Sequence, residues 1–346
     1  MHLFPHPLVT LAYHMVSDCE LDHVKYYRYK TPAMFRNDVR YVVEHHDYMK
    51  RVGTSELTLP TTGSRGNRFV FTIDDGFAEG FDVIRPILKQ FDVGAIFFIT
   101  TDFLDDRSIF FESLVSLCLS AIEKLSSEQA SELLNKLRRS DSGQPADRLE
   151  ERDRTAARRL QDARIQRPRS PSHAALYRWC LGLEHSDVRG IEELCDSLGV
   201  DWRGHSDKRR LFLTSEQVRV LANEGFAVGA HGVTHASFRG ADVDVIEREM
   251  VESGEVIRAL TGQAIVPFAF PYGARDLRTP QLREVLAKHK HIFPLFDTGG
   301  IRPISDTIID RLIVDSPDDA CGDESNLPVL LHNAWSRRSA WMSLPR

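Results

Sequence analysis

Arg68 to Gly76 reads RFVFTIDDG. Its first six residues are almost unbroken apolar and β-branched chain, and such a run predicts a strand buried on both faces, as in parallel sheets. Upstream, Leu8 to Tyr13 (LVTLAY) has the same character. Downstream, helix-patterned Gly80 to Phe91 leads into another strand, Val93 to Thr100 (VGAIFFIT). The rhythm returns later in the chain. Thr214 to Asn223 predicts a helix with Thr214 as N-cap and Gln217 completing a capping box. Phe226 to Ala230 is a strand, Val243 to Leu260 a helix and Ile265 to Phe270 a strand. Leu277 to Lys288 is helical, and strands follow at His291 to Phe296 and Ile308 to Val314. Strands alternating with helices predict parallel pairing, hence an α/β barrel or a doubly wound sheet. No fixed-period repeat interrupts the pattern.

The stretch from about Asp105 to Arg210 does not share this rhythm. Phe111 to Leu137 carries two leucine-patterned helices, and Ser172 to Leu198 looks helical again. Between them, Arg138 to Arg169 holds ten arginines against six acids, punctuated by Gly143, Pro145 and Pro168. The expected organisation is an α/β domain over 1–104 and 211–346, with a helical insertion over 105–210. The arginines read first as a solvated helix face laced with ion pairs. A contact surface for phosphate or anionic lipid is the alternative.

Composition narrows the function classes. The 346 residues are 42% apolar and 27% charged, which excludes a disordered chain or a disulfide miniprotein. A net charge of -6 weighs against phosphate-led nucleic-acid binding, so no nucleic-acid partner is expected. No apolar run reaches the ~20 residues of a membrane span, although peripheral contact with a membrane is compatible with the chain. The N-terminus lacks the pattern of a signal peptide. Five cysteines, Cys19, Cys118, Cys180, Cys195 and Cys321, have no C-x-x-C spacing and suggest neither a disulfide framework nor a cysteine zinc site. The cytoplasm, with contact at the inner face of the membrane, is the expected location. Fourteen histidines turn attention to metal and proton chemistry.

Three segments sit at the C-terminal ends of predicted strands, where parallel α/β folds build their sites. Thr72-Ile73-Asp74-Asp75-Gly76 places two adjacent carboxylates there. On extended chain they point different ways, so one can bind a metal while the other stays free as a base. The plain alternative is a pair of helix-capping aspartates. His231-Gly232-Val233-Thr234-His235 spaces two histidines at i and i+4, which on a helical turn share a face and hold one divalent ion. The intervening glutamate of a zincin-type protease is absent. Phe268-Ala269-Phe270-Pro271-Tyr272-Gly273 ends a strand in a tight turn whose N–H groups are suited to an oxyanion.

Together the three segments resemble the motifs of the polysaccharide deacetylase family, the NodB-homology domain or carbohydrate esterase family 4. T-I-D-D-G is similar to T-F-D-D-G, H-G-V-T-H to H-S/T-x-x-H, and F-P-Y-G to the R-x-P-Y motif as used by poly-N-acetylglucosamine deacetylase-like members. The match runs over about 5–105 and 210–315. The resemblance implies a distorted (β/α)7-8 barrel and metal-dependent hydrolysis of N-acetyl groups on an amino sugar, a non-peptide carbon–nitrogen bond. By motif position it implies Asp75, His231 and His235 as metal ligands, Asp74 as general base and the Tyr272 backbone N–H as oxyanion donor. Zn2+ is the expected ion, with Co2+, Ni2+ or Mn2+ also suited to such ligands. Two departures stand out. Ala269 occupies the place of the motif's base-orienting arginine. The late L-x-H motif, source of the general acid, is matched only by Leu330-Leu331-His332. His14, in Tyr13-His14 after the first strand, is preferred as the acid because family members without the late motif use a histidine there.

The expected partner is an N-acetylated amino-sugar glycan of polysaccharide, O-antigen or capsule type, or its lipid- or nucleotide-linked precursor. Two other functions compete: hydrolysis of a small non-sugar amide on the same fold, and a catalytically silent sugar-binding or scaffold protein.

Overall fold

A computed structural model of the chain describes residues 8–26, 28–50, 68–140, 146–160, 163, 165–184, 187–274, 277, 279–301, 308–317 and 323–342. Gly143, Pro145 and Cys321 lie outside the described residues. The strands are β1 Leu8–Tyr13, β2 Asp47–Tyr48, β3 Arg68–Ile73, β4 Ala95–Ile99, β5 Ala227–Ala230, β6 Val266–Ala269, β7 Ile292–Asp297 and β8 Ile308–Ile313. Every pairing between them is parallel. The sheet runs β1-β8-β7-β6-β5-β4-β3-β2, and β1 also pairs with β3. Seven strands therefore close a barrel, and β2 hangs on β3 as a two-residue edge. This is the α/β barrel expected, in its seven-stranded form.

The β1–β3 pairing closes the barrel, and side-chain alternation along its strands divides the residues between two cores. One set, including Phe69, Phe71 and Phe97, packs into the large core beneath the helices. The alternate set, Val70, Ile96, Phe98, Ala269, Phe296 and Ile309, meets inside the barrel. A strand with both faces covered shows no polar alternation, which is why RFVFTI and AIFFI read as continuous apolar runs.

Several helix boundaries are fixed by caps visible in the sequence. Thr214 and Gln217 form the expected capping box at the start of helix Ser215–Asn223. Helix Val243–Thr261 stops at Gly262, whose φ of 72° is the left-handed conformation that ends helices. Helix Pro32–His45 escapes the sequence reading although Thr31 caps it, accepting from Met34 N, and a proline sits in its first turn. The expected helix over 80–91 starts as a π-helical turn, Gly80–Ile84, before Arg85–Gln90. His332 of the possible late motif lies on a helix, Leu327–Met342.

The chain divides into two compact units, one comprising Met1–Asp18, Tyr29–Ser108 and Phe212–Arg346, the other Cys19–Arg28 and Ile109–Leu211. The second unit is helical, with Phe111–Lys124, Ser127–Ser140, Ala146–Arg159, Pro171–Leu181 and Val188–Leu198 around a core that includes Leu119, Leu176 and Leu194. The single helical stretch expected over 172–198 is thus two helices. The Arg-rich segment forms helix Ala146–Arg159. Arg159 donates to the carbonyls of Leu181 and Leu183 at 3.0 and 2.6 Å and lies over the Tyr26 ring, while Arg152 lies over Trp179. These arginines brace their own unit.

Gly229 of β5 has no room for a side chain. A Cβ there would come within 2.5 Å of the Phe98 ring and 2.7 Å of the Pro267 carbonyl oxygen. Overpacking of this kind costs about 1–3 kcal/mol. Gly229→Ala is expected to lower the thermal unfolding midpoint by about 2–10 °C, followed by circular dichroism. An unchanged midpoint would mean that β5 tolerates displacement.

Candidate active site

Every sequence-predicted site residue except His332 lies at the C-terminal mouth of the barrel. His14 follows β1, Asp74 and Asp75 follow β3, His231 and His235 follow β5, and Tyr272 follows β6. His332 is exposed on helix Leu327–Met342, and no contact with these residues is found among those described.

Asp75, His231 and His235 present one ligand atom each within 4.8 Å of one another, all three residues buried. The Asp75 Oδ1 lies 3.4 Å from His231 Nε2 and 3.3 Å from His235 Nε2. Four-coordinate zinc with donor bonds of ~2.0–2.1 Å needs donors about 3.3–3.4 Å apart, so the spacing suits an ion among them. Asp75 Oδ1 is buried without a conventional hydrogen bond, which is how an oxygen reserved for a cation looks. His231 Nδ1 lies 2.8 Å from the Ala269 carbonyl oxygen. That bond puts the proton on Nδ1 and leaves the Nε2 lone pair facing the cluster. The residues therefore fit a divalent ion.

The two candidate ligand histidines are not on a helical turn as expected. Residues 231–235 form a loop, with Gly232 at φ 84° and His235 at φ 61°. The loop is held by Glu249, a carboxylate 1% exposed on helix Val243–Thr261. Its Oε2 accepts from Val233 N at 2.8 Å and Thr234 N at 3.0 Å, and its Oε1 accepts from Thr234 Oγ1 at 2.9 Å. Sequence reasoning missed Glu249, whose only signal is a lone acid on a helix face. Nor is Asp75 extended chain. Its φ is 72° and that of Gly76 is 86°, and this left-handed kink, not strand alternation, separates the two carboxylates. Neither aspartate caps the helix that follows, whose N-terminal neighbour Glu79 makes no side-chain cap.

Asp74 faces a second missed residue. Arg311, in the middle of β8 and fully buried, grips it with Nη1–Oδ1 at 2.6 Å and Nη2–Oδ2 at 2.7 Å. Arg311 Nη1 also donates to Thr72 Oγ1 at 3.1 Å, and its guanidinium lies over the Phe98 ring. The arginine absent at Ala269 thus enters the barrel from another strand. An arginine inside the apolar stretch IIDRLI was the available signal, since a charge in a buried strand must have a partner. Burial alone would raise the Asp74 pKa, but the Arg311 guanidinium, together with the His231 and His14 imidazoles, holds the carboxyl below its ordinary value.

Across from this pair, His14 Nδ1 lies 2.5 Å from Asp315 Oδ2, and the His14 backbone N–H donates to Asp315 Oδ1 at 2.9 Å. His14 Nε2 is 3.9 Å from Asp74 Oδ2. Burial works to lower the His14 pKa, but the Asp315 carboxylate overrides it, and with Asp75 and Asp74 it pushes the imidazole up to about 10. Tyr272 stands at φ 57° with its ring 4.8 Å from that of His235 and its side chain largely exposed. The turn after it is pinned by Asp297, whose Oδ1 accepts from Ala274 N at 3.0 Å and Thr298 N at 2.7 Å.

The polysaccharide deacetylase family profile matches residues 200–292, which hold both the H-G-V-T-H and the F-P-Y-G segments. A Streptococcus pyogenes deacetylase, PplD, solved in complex with acetate, superposes with a TM-score of 0.52 at 13% identity, over 95% of this chain and 98% of that one. IcaB from Ammonifex degensii gives 0.48 at 14% identity over 92% and 95%, and a de-N-acetylase from Aggregatibacter actinomycetemcomitans 0.47 at 14% over 94% and 99%. No curated protein matches by sequence. The resemblance to the polysaccharide deacetylase family with its NodB-type barrel therefore stands, the fold resting on the first of these structures.

Because Glu249 ties the Val233–Thr234 backbone to the helix beneath it, Glu249→Ala is expected to weaken binding of Zn2+ about 10–100-fold, as loss of supporting contacts at metal sites does. Competition titration against a chromophoric chelator measures it. Unchanged affinity would show that the loop holds His235 in place unaided.

Proposed function

We propose that the barrel mouth hydrolyses the N-acetyl group of an amino sugar within a polysaccharide, or within its lipid- or nucleotide-linked precursor. The observation that carries this reading is the placement of two charged pairs, Asp74 with Arg311 and His14 with Asp315, beside one candidate metal cluster. A carboxylate kept ionised by Arg311 and an imidazole kept protonated by Asp315 stand 3.9 Å apart beside an Asp–His–His cluster. Environments that push two titratable groups in opposite directions assign base and acid. Support also comes from the family match over 200–292.

A divalent ion, most simply Zn2+, held by Asp75, His231 and His235 supplies Lewis acidity toward the acetyl carbonyl and acidifies a water. The protein's own groups do the rest. Asp74 Oδ2, turned toward the cluster, takes the proton of the attacking water. The Arg311 fork fixes the carboxylate plane and keeps it ionised before the proton arrives. The Tyr272 N–H donates to the oxygen that gains charge in the tetrahedral state. His14, protonated at Nε2 and oriented through Nδ1 by Asp315, delivers its proton to the departing amine. The exposed Tyr272 ring gives the sugar an apolar face to lie against.

Acetate release from N-acetylated amino-sugar oligomers is the direct test. His14→Ala is expected to lower kcat about 10²–10⁴-fold, the usual weight of a general acid. Near-wild-type kcat would remove His14 from that role.

The pH profile separates the two dyads. Asp315 raises the His14 pKa, so Asp315→Asn moves the alkaline limb of kcat to lower pH. Arg311 lowers the Asp74 pKa, so Arg311→Met moves the acid limb to higher pH. Limbs that stay in place in both variants would disconnect these groups from catalysis.

A further inference from the structure

Three buried cysteines lie in the helical unit, on three different helices: Cys118 on Phe111–Lys124, Cys180 on Pro171–Leu181 and Cys195 on Val188–Leu198. They are not equivalent. Cys180 Sγ is directed at the Val115 carbonyl oxygen, 3.7 Å away. Cys118 Sγ and Cys195 Sγ face each other at 3.5 Å, 77 positions apart in the chain. Buried cysteine commonly acts as a small apolar filler, and a filler has no need of a second sulfur as its neighbour. We infer that Cys118 and Cys195 are a dithiol pair that closes reversibly to a disulfide, tying helix Phe111–Lys124 to helix Val188–Leu198.

Chemistry and access give the pair a direction. Cys195, 9% exposed, is the sulfur nearer solvent, whereas Cys118 is fully enclosed. The contact between the sulfurs polarises the two thiols, lowering the pKa of Cys195 and raising that of Cys118. Cys195 is thus the thiolate that attacks. A disulfide bond of ~2.05 Å requires the sulfurs to approach by about 1.5 Å. With a small-molecule disulfide such as oxidised glutathione as oxidant, the Cys195 thiolate attacks one glutathione sulfur and expels the other as a thiolate. Cys118 loses its proton, attacks the Cys195 sulfur of the mixed disulfide and expels the second glutathione. Two electrons and two protons pass from the pair to glutathione, and a thiol reductant reverses the exchange. The bond encloses the chain from 118 to 195, including the Arg-rich helix.

The test uses the full chain incubated with excess oxidised glutathione, alkylated to cap remaining thiols, digested and mapped by mass spectrometry. The expected product is a Cys118–Cys195 linked peptide that dithiothreitol abolishes. Native trypsin nicking between the two positions is expected to leave fragments joined on a non-reducing gel and separate on a reducing one. Cys118→Ser is expected to trap Cys195 as its mixed disulfide with glutathione. Both cysteines recovered alkylated from the oxidised wild-type chain, or a cross-link running through Cys180 or Cys19, would overturn the assignment. The wild-type peptide map is decisive whether or not the variant folds.

Discussion

A guanidinium sealed inside a closed barrel is tolerable only if something there carries the opposite charge. Arg311 is such a group, and Asp74 is its match, held through both oxygens. β3 and β8 both pair with β1, so the ion pair spans the interior behind that strand. Removing either partner strands the other charge in low dielectric, which typically costs several kcal/mol. The same interaction that makes the interior viable also keeps Asp74 ionised and fixes its plane. Stability and chemistry are therefore joined at one residue pair, and the remaining site residues are arranged around a carboxylate that is already oriented.

Adjacent aspartates then diverge by environment. Asp74 is absorbed by arginine, while Asp75 turns away through a left-handed kink toward two imidazoles. His14, one residue past β1, is held by Asp315, which follows β8. Barrel closure makes β1 and β8 neighbours, so residues some 300 positions apart become a hydrogen-bonded dyad. The opposed pKa shifts of Asp74 and His14 follow from these partners rather than from depth, since burial acts on both groups in the direction opposite to the outcome.

The barrel was legible in the sequence because its strands are buried on both faces, and burial writes itself as unbroken apolar runs. Strands 8–13 and 68–73 agree with the sequence reading to the residue, and the capping box at Thr214 is a local signal that tertiary packing had no reason to override. The H-G-V-T-H pair stands out in the sequence because its spacing is short, whereas Asp75 lies far upstream and joins it only through the resemblance of its own motif. What was not legible depends on contacts across the fold. The i,i+4 histidine spacing suggested a helix, but Gly232 and the Glu249 carboxylate favour a loop instead. Arg311 could be seen as a charge within a strand and Asp315 as one just after it, yet their partners lie about 240 and 300 positions away, a distance at which local pattern carries no information. Helix Pro32–His45 had its cap, its proline and an apolar face of Met34, Phe35, Val39 and Val42, and it was missed all the same.

Asp75, His235 and Tyr272 share one backbone trait: each is a side-chain-bearing residue with φ near +60 to +70°. Such conformations are individually unfavourable, by about 1–3 kcal/mol where the chain is strained, and persist only where surrounding structure dictates them. Here the surroundings are a finished barrel, the Glu249 clamp and the Asp297-pinned turn. The strain is thus present in the protein before any ligand arrives, and binding does not have to impose it. A cage shaped in advance leaves little conformational entropy to lose on filling. An ion entering it would be selected by the fit of its bond lengths to a frame that the barrel, the Glu249 clamp and the Asp297-pinned turn have already set.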